Sequence, residues 1–397
     1  MPLSAVTSRF QRAGRAAGAI VLSLAAACAP ARTVRSDDPI PLRPIASLEL
    51  LGEFTLPPLS PDAALKPARL GGISGLTVDR VAGDLLGISD DHDNSRVFVF
   101  NLPVVGRPFT IDLRAYFSLP ASGGPDVLDP EGIAVTSDGR LFVSSEGAQN
   151  RDPRVQPAIL EYTSRYDFVG KLNLPEKFQT PTTGPLNRGV RSNASLESLT
   201  LSPDDRRLFT AVESPLVQDG EAASSTAGGL VRVIEYQSTG RTFIPGREFA
   251  YPIDPLPAPP FVPQFQITGL VELVSLGGDD FLALERGYAE EAPRGRSVNH
   301  IRIFRMTLNG ASDVSSLDSL RGTGVRTASK TLLLDLSTVR GLSPELANLD
   351  NFEGMTFGPT LPDGSRTLLL VSDDNFNARQ RTSFLWFRVV ETPSDRP

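Results

Sequence analysis

The chain has 397 residues, 40% of them hydrophobic and 21% charged, and a formal net charge of −7. Two histidines (His92 and His300) and one cysteine (Cys28) exclude most zinc architectures and any intrachain disulfide. The acidic balance argues against a nucleic-acid partner, because a phosphate backbone calls for a basic surface.

Residues 1–15 carry Arg9, Arg12 and Arg15 and no acid, and an apolar run from Ala16 to Ala27 leads to Cys28. A basic stretch followed by a short apolar one is the secretory pattern, and this run is too short to span a bilayer. We read residues 1–27 as a signal peptide of lipoprotein type. Cys28 is then the lipidated residue, with Ala25 where a lipobox prefers Leu. A plain cleaved signal peptide is the alternative. Residues 28–44 include Pro30, Pro39, Pro41 and Pro44 and read as an extended tether. The expected location is the cell envelope or periplasm, with membrane attachment through the lipid alone. Residues 45–392 are expected to form the folded domain.

From there one motif is written five times. Its copies begin at Ile73-Ser74-Gly75-Leu76, Pro130-Glu131-Gly132-Ile133, Leu196-Glu197-Ser198-Leu199, Ile267-Thr268-Gly269-Leu270 and Phe352-Glu353-Gly354-Met355. Each leads through a turn to a second apolar run ending in acid, and turn signals such as Ser137-Asp138-Gly139 and Pro362-Asp363-Gly364 separate the two. Copies recur roughly every 60–85 residues, which marks a propeller with blades longer than usual. The extra length is assigned to inserts at 176–195, 217–228, 254–265 and 286–299. Third runs follow in every copy and fourth runs in four. The run Ser47–Leu56, with no repeat ahead of it, fits the vacancy in the last blade. The expected fold is therefore an all-β propeller of five blades, closed by pairing the N- and C-terminal strands. Six blades, or a β-sandwich with chance similarity, are the alternatives.

The first strand of a blade lines the channel and the second returns beside it, so the start of one and the end of the other share a face. Glu131, Glu197 and Glu353 open first strands; Asp90 and Asp91, Glu146, Glu213, Glu285, and Asp373 and Asp374 end second strands. All are candidate metal ligands. Converging carboxylates repel one another, and a bound cation relieves that conflict. Oxygen donors without cysteine or clustered histidine point to Ca²⁺ first, with Mg²⁺ or Mn²⁺ behind it. Asn94 and Asn375 would add neutral oxygens. The competing reading is that each acid caps a turn or pairs with an arginine such as Arg151, Arg286 or Arg379. Arg286 and Arg379 are candidates for holding an anionic substrate, with Arg381 nearby, and His92 for moving a proton; His300, at the start of a third run, reads as structural. No Gly-x-Ser-x-Gly elbow is present, which disfavours a serine hydrolase.

The segments Asp129-Pro130-Glu131-Gly132-Ile133-Ala134, Ala194-Ser195-Leu196-Glu197-Ser198-Leu199, Leu284-Glu285-Arg286-Gly287 and Asn351-Phe352-Glu353-Gly354-Met355 together resemble the phytase-like domain family. The resemblance runs from about Leu48 to Val390. It implies a propeller with metal-dependent esterase or phosphoesterase activity on a small anionic ester. Lysines are too few for a phytate cleft. The alternative function is a non-catalytic envelope lipoprotein that uses the propeller as a binding platform with a structural Ca²⁺. The sequence leaves the oligomeric state open.

Overall fold

The computed structural model describes residues 44–57, 70–92, 94–120, 128–291, 295–346 and 348–392. The signal peptide, Cys28 and the tether up to residue 43 lie outside these residues. No described helix is long and apolar enough to cross a membrane.

The chain folds into five four-stranded antiparallel sheets. A first strand, β1 (Ile45–Thr55), precedes the repeats. Blade 1 follows with β2 (Ile73–Asp79), β3 (Asp84–Ser89), β4 (Arg96–Asn101) and β5 (Leu113–Ser118). Blade 2 contains β6 (Pro130–Val135), β7 (Leu141–Ser145), β8 (Ala158–Tyr162) and β9 (Phe168–Lys171). Blade 3 is β10 (Leu196–Leu201), β11 (Arg207–Val212), β12 (Gly229–Ser238) and β13 (Phe243–Ile253). Blade 4 is β14 (Phe265–Gly277), β15 (Asp280–Glu290), β16 (Ser297–Thr307) and β17 (Ser329–Asp335). Blade 5 takes β18 (Asn351–Phe357), β19 (Thr367–Asp373) and β20 (Ser383–Glu391), and β1 completes it by pairing with β20 from Ile45–Glu391 to Thr55–Ser383. The two ends of the chain thus close the ring and cover what would be an open sheet edge.

The inner strands β2, β6, β10, β14 and β18 pack side by side around the axis, β18 against β2. The glycine of the repeat is what lets them approach. A Cβ on Gly132 would lie 2.6 Å from the carbonyl oxygen of Glu197 and the amide nitrogen of Leu199 on the next blade. Apolar side chains of adjacent blades fill the wedges between sheets: Ile133, Val143 and Leu160 meet Ile88 and Val97, while Leu282, Leu284 and Ile303 meet Phe352 and Leu370. Removing one such side chain costs about 2–5 kcal/mol.

Two sequence expectations need correction. Residues 286–299 are not an insert, because β15 runs on to Glu290 and β16 begins at Ser297; the hairpin simply extends. His300 accordingly lies within β16 rather than at its start. Some of the extra length instead lies in the segment between β16 and β17. There Val314 and Leu320 pack on Ala250 of β13 in the preceding blade. Beneath this strap the buried Arg232 guanidinium meets Asp219 at 2.7 Å and Glu248 at 2.9 Å.

Candidate metal and substrate site at the channel mouth

A cavity of about 320 Å³ opens where the inner strands begin. Ser74, Asp90, Asp91, His92, Asp129, Glu131, Asn193, Glu197, Arg286, Glu353, Asp373, Asn375 and Phe376 line it. A shared irregularity explains why the inner strands aim side chains into it. In β2, β10 and β18 the ladder to the second strand slips by one residue, leaving Ser74, Glu197 and Glu353 as the extra residues; in β6 the slip falls across Glu131 and Gly132. A bulge of this kind re-aims a side chain out of the regular alternation.

Blade 4 differs. Its slip falls later, at Val271, so that Leu270 faces Glu285 and Gly269 faces Arg286. Successive residues of a strand point to opposite faces, and here Arg286 turns to the mouth while Glu285 turns away. Glu285 accepts hydrogen bonds from Tyr251 at 2.8 Å and Arg302 at 3.2 Å, and it pairs with Lys330. It does not join the other acids.

Arg286 links three blades. It donates to Glu213 of blade 3 at 2.9 Å, to Asn351 of blade 5 at 2.6 Å, and to Glu353. Burial opposes its charge, but Glu353, Glu213 and Glu197 hold its pKa above the usual arginine value. Across the mouth, no arginine among the described residues links blades in this way. Asp129, Glu131 and Glu146 can each offer one oxygen within 4.8 Å of the others. Burial is the main reason that Glu131 and Glu146 are raised well above ordinary carboxyl pKa values; Glu197 adds repulsion on Glu131, and Asp129 on Glu146. Burial likewise pushes Asp90 up to about 8, with Glu353 and Asp129 adding to it. Asp129 rises to about 6 for the same reason, held back by His92. The ring nitrogen Nδ1 of His92 lies 3.1 Å from Asp129.

This donor set fits a hard cation. It is all oxygen and strongly self-repelling, and two buried polar atoms in its lining have no partner among the described residues: the hydroxyl of Ser74 and Oδ1 of Asp90. Ca²⁺, Mg²⁺ and Mn²⁺ all suit such donors.

Other candidates are engaged elsewhere. Asp374 accepts the amides of Gly72 at 2.9 Å and Phe376 at 3.0 Å and shapes the loop. Asp91 lines the mouth and also holds Arg96 at 2.7 Å. Arg379 is exposed, outside the lining residues, and its backbone amide donates to Asn377 at 3.1 Å. Asn94 does not line the cavity, whereas Asn375 does. Asp129 is the principal residue missed as a ligand; it stands immediately before Glu131's strand, and the Asp129-Pro130-Glu131 run was its only trace in the sequence.

A family model described as phytase-like, esterase-like activity of phytase, matches residues 68–376. No curated protein matches the chain. Among solved structures, an endo-arabinase from Bacteroides thetaiotaomicron VPI-5482 is similar at 11% identity and a TM-score of 0.43, covering 83% of this chain and 97% of that one. The tail fibre of Staphylococcus aureus phage P68 is similar at 12% identity and a TM-score of 0.41, covering 87% and 53%. A gluconolactonase from Xanthomonas campestris is similar at 11% identity and a TM-score of 0.30, covering 79% and 71%. At these distances none of the three bears on activity.

Proposed function

We propose, from the premise that the chain belongs to the phytase-like family, that the mouth holds one hard divalent cation and hydrolyses a carboxylic or phosphoric ester. The observation that carries this reading is the cluster of Asp129, Glu131 and Glu146, whose oxygens lie within 4.8 Å of one another, beside a mouth that already owns a fixed guanidinium.

Asp129, Glu131 and Glu146 would hold the ion. Such an ion would supply Lewis acidity to an ester or phosphoryl oxygen and to a bound water. Arg286 contributes a second, permanent positive charge toward the developing oxyanion, held in place by Glu213 and Asn351. His92, on the rim and anchored by Asp129, is the group positioned to accept or return a proton. Asp90 also lines the cavity and would add a further oxygen beside the ion.

The test is turnover of 4-nitrophenyl acetate, 4-nitrophenyl butyrate and 4-nitrophenyl phosphate by protein stripped with a chelator and then given Ca²⁺, Mg²⁺ or Mn²⁺. Turnover that returns with an ion and is lost in Glu131→Gln supports the reading. Absence of turnover with all three ions rejects it and leaves the binding-platform alternative.

For location, we propose export and lipid attachment at Cys28. The inner strands start at the mouth, so β1, three strands out and antiparallel at each step, begins on the opposite face.

A further inference from the structure

Blade 4 rises above the mouth. Its ladder pairs Gly269 with Arg286, Ile267 with Tyr288 and Phe265 with Glu290. Opposed residues, and residues two apart on one strand, share a sheet face. Arg286, Tyr288, Ile267 and Phe265 therefore stand on one face, with Arg286 lowest. At about 3.4 Å per residue, Tyr288 lies about 7 Å above Arg286, and the level of Phe265 about 13 Å. The two rings are 6.2 Å apart and tilted, and Phe265 remains 53% exposed. On the segment that leads in from blade 3, Val262 is 86% exposed. Tyr288, Ile267 and Phe265 share that face with the guanidinium, and Glu290, opposite Phe265, closes its upper end.

The charges below set the other half of the argument. Seven carboxylates line the cavity, against Arg286 and His92. Beyond one bound ion, the lining offers a polyanion only Arg286 and His92 as cationic partners, whereas a neutral or singly charged head group needs no more than these.

Resting on the hydrolase reading above, we propose that the raised face of blade 4 is a subsite for an apolar substituent of the substrate. The substrate class is then an aryl or medium-chain alkyl ester, or a phosphate monoester of such an alcohol, and not a polyphosphate.

Calorimetric titration of the Ca²⁺-equilibrated full chain with methylphosphonate, phenylphosphonate and inositol hexakisphosphate tests this. Covering one ring face should make phenylphosphonate bind at least about fivefold tighter than methylphosphonate. That ratio should fall below about twofold in Phe265→Ser. It should persist in Val169→Ser, which removes an equally exposed residue from the outer strand of blade 2. The hexakisphosphate should bind more weakly than phenylphosphonate. Equal affinities for the two phosphonates, a ratio unmoved by Phe265→Ser, no binding of phenylphosphonate, or tightest binding of the hexakisphosphate overturns the proposal. If the ratio holds while no 4-nitrophenyl substrate is cleaved, the hydrolase reading falls and the subsite stands.

Discussion

Arg286 Nη2 donates to Glu213 at 2.9 Å, and the second carboxylate oxygen of Glu213 is buried with no partner among the described residues. The pair divides the mouth into two halves. One half carries the Arg286 guanidinium; the other gathers Asp129, Glu131 and Glu146, with His92 beside Asp129.

Removing that cation strands buried charge. Arg286→Met should destabilise the protein by about 3–5 kcal/mol, the usual cost of breaking a buried pair from one side. Adding Glu213→Gln to that variant should recover part of the loss, because a neutral amide is cheaper to bury than an unpaired carboxylate. Urea denaturation of the single and double variants measures both. A fully additive double variant would show that the two side chains do not act as a pair.

The metal-free mouth should make stability fall as pH rises. Burial lifts Asp90 to about 8 and Asp129 to about 6, so the folded chain binds more protons than the unfolded one above pH 4 or so. That contribution is complete below the ordinary carboxylate pKa. It is lost as pH climbs through about 6 for Asp129 and about 8 for Asp90. Melting temperatures in chelator should therefore decline between pH 5.5 and pH 8.5, a window chosen to span roughly these two values. Saturating Ca²⁺ should flatten that decline by stabilising the ionised carboxylates. A decline that is the same with and without Ca²⁺ would speak against an ion at these carboxylates.

The glycine of the repeat should be intolerant only where backbones meet. Gly132→Ala drives a methyl group against β10 and should cost about 1–3 kcal/mol. Gly170→Ala in β9 meets nothing within 4 Å and should be near neutral or slightly stabilising. Paired chemical denaturation curves separate the two.

Glu131→Gln should uncouple the ion from stability. In the parent chain, Ca²⁺ at about a hundred times its dissociation constant adds about 2.7 kcal/mol. The variant should lose most of that gain while keeping its melting temperature in chelator, since it also removes self-repulsion at the mouth. A full calcium shift in Glu131→Gln would move the site elsewhere.

Much of this architecture could be read from residue order. The five glycine- or serine-centred motifs mark inner strands because only a small residue lets neighbouring backbones approach so closely, as at Gly132. Ser47–Leu56 stood out as a strand without a repeat, and β1 closes blade 5. The exchange of Glu285 for Arg286 was not legible. It depends on a bulge at Val271 in place of one near the strand's start, and a slip of one residue reverses every face without changing the apolar pattern. The upward extension of blade 4 was hidden similarly, because Tyr288 and Glu290 read as loop chemistry when the hairpin partner at Phe265 is not yet known.

The central claim is a divalent ion among Asp129, Glu131 and Glu146. Anomalous diffraction from Mn²⁺-soaked crystals tests it most directly. The account predicts one strong peak at ordinary coordination distance, roughly 2.0–2.5 Å, from oxygens of these three carboxylates. No peak at the mouth, or a peak only among exposed surface acids, would contradict it.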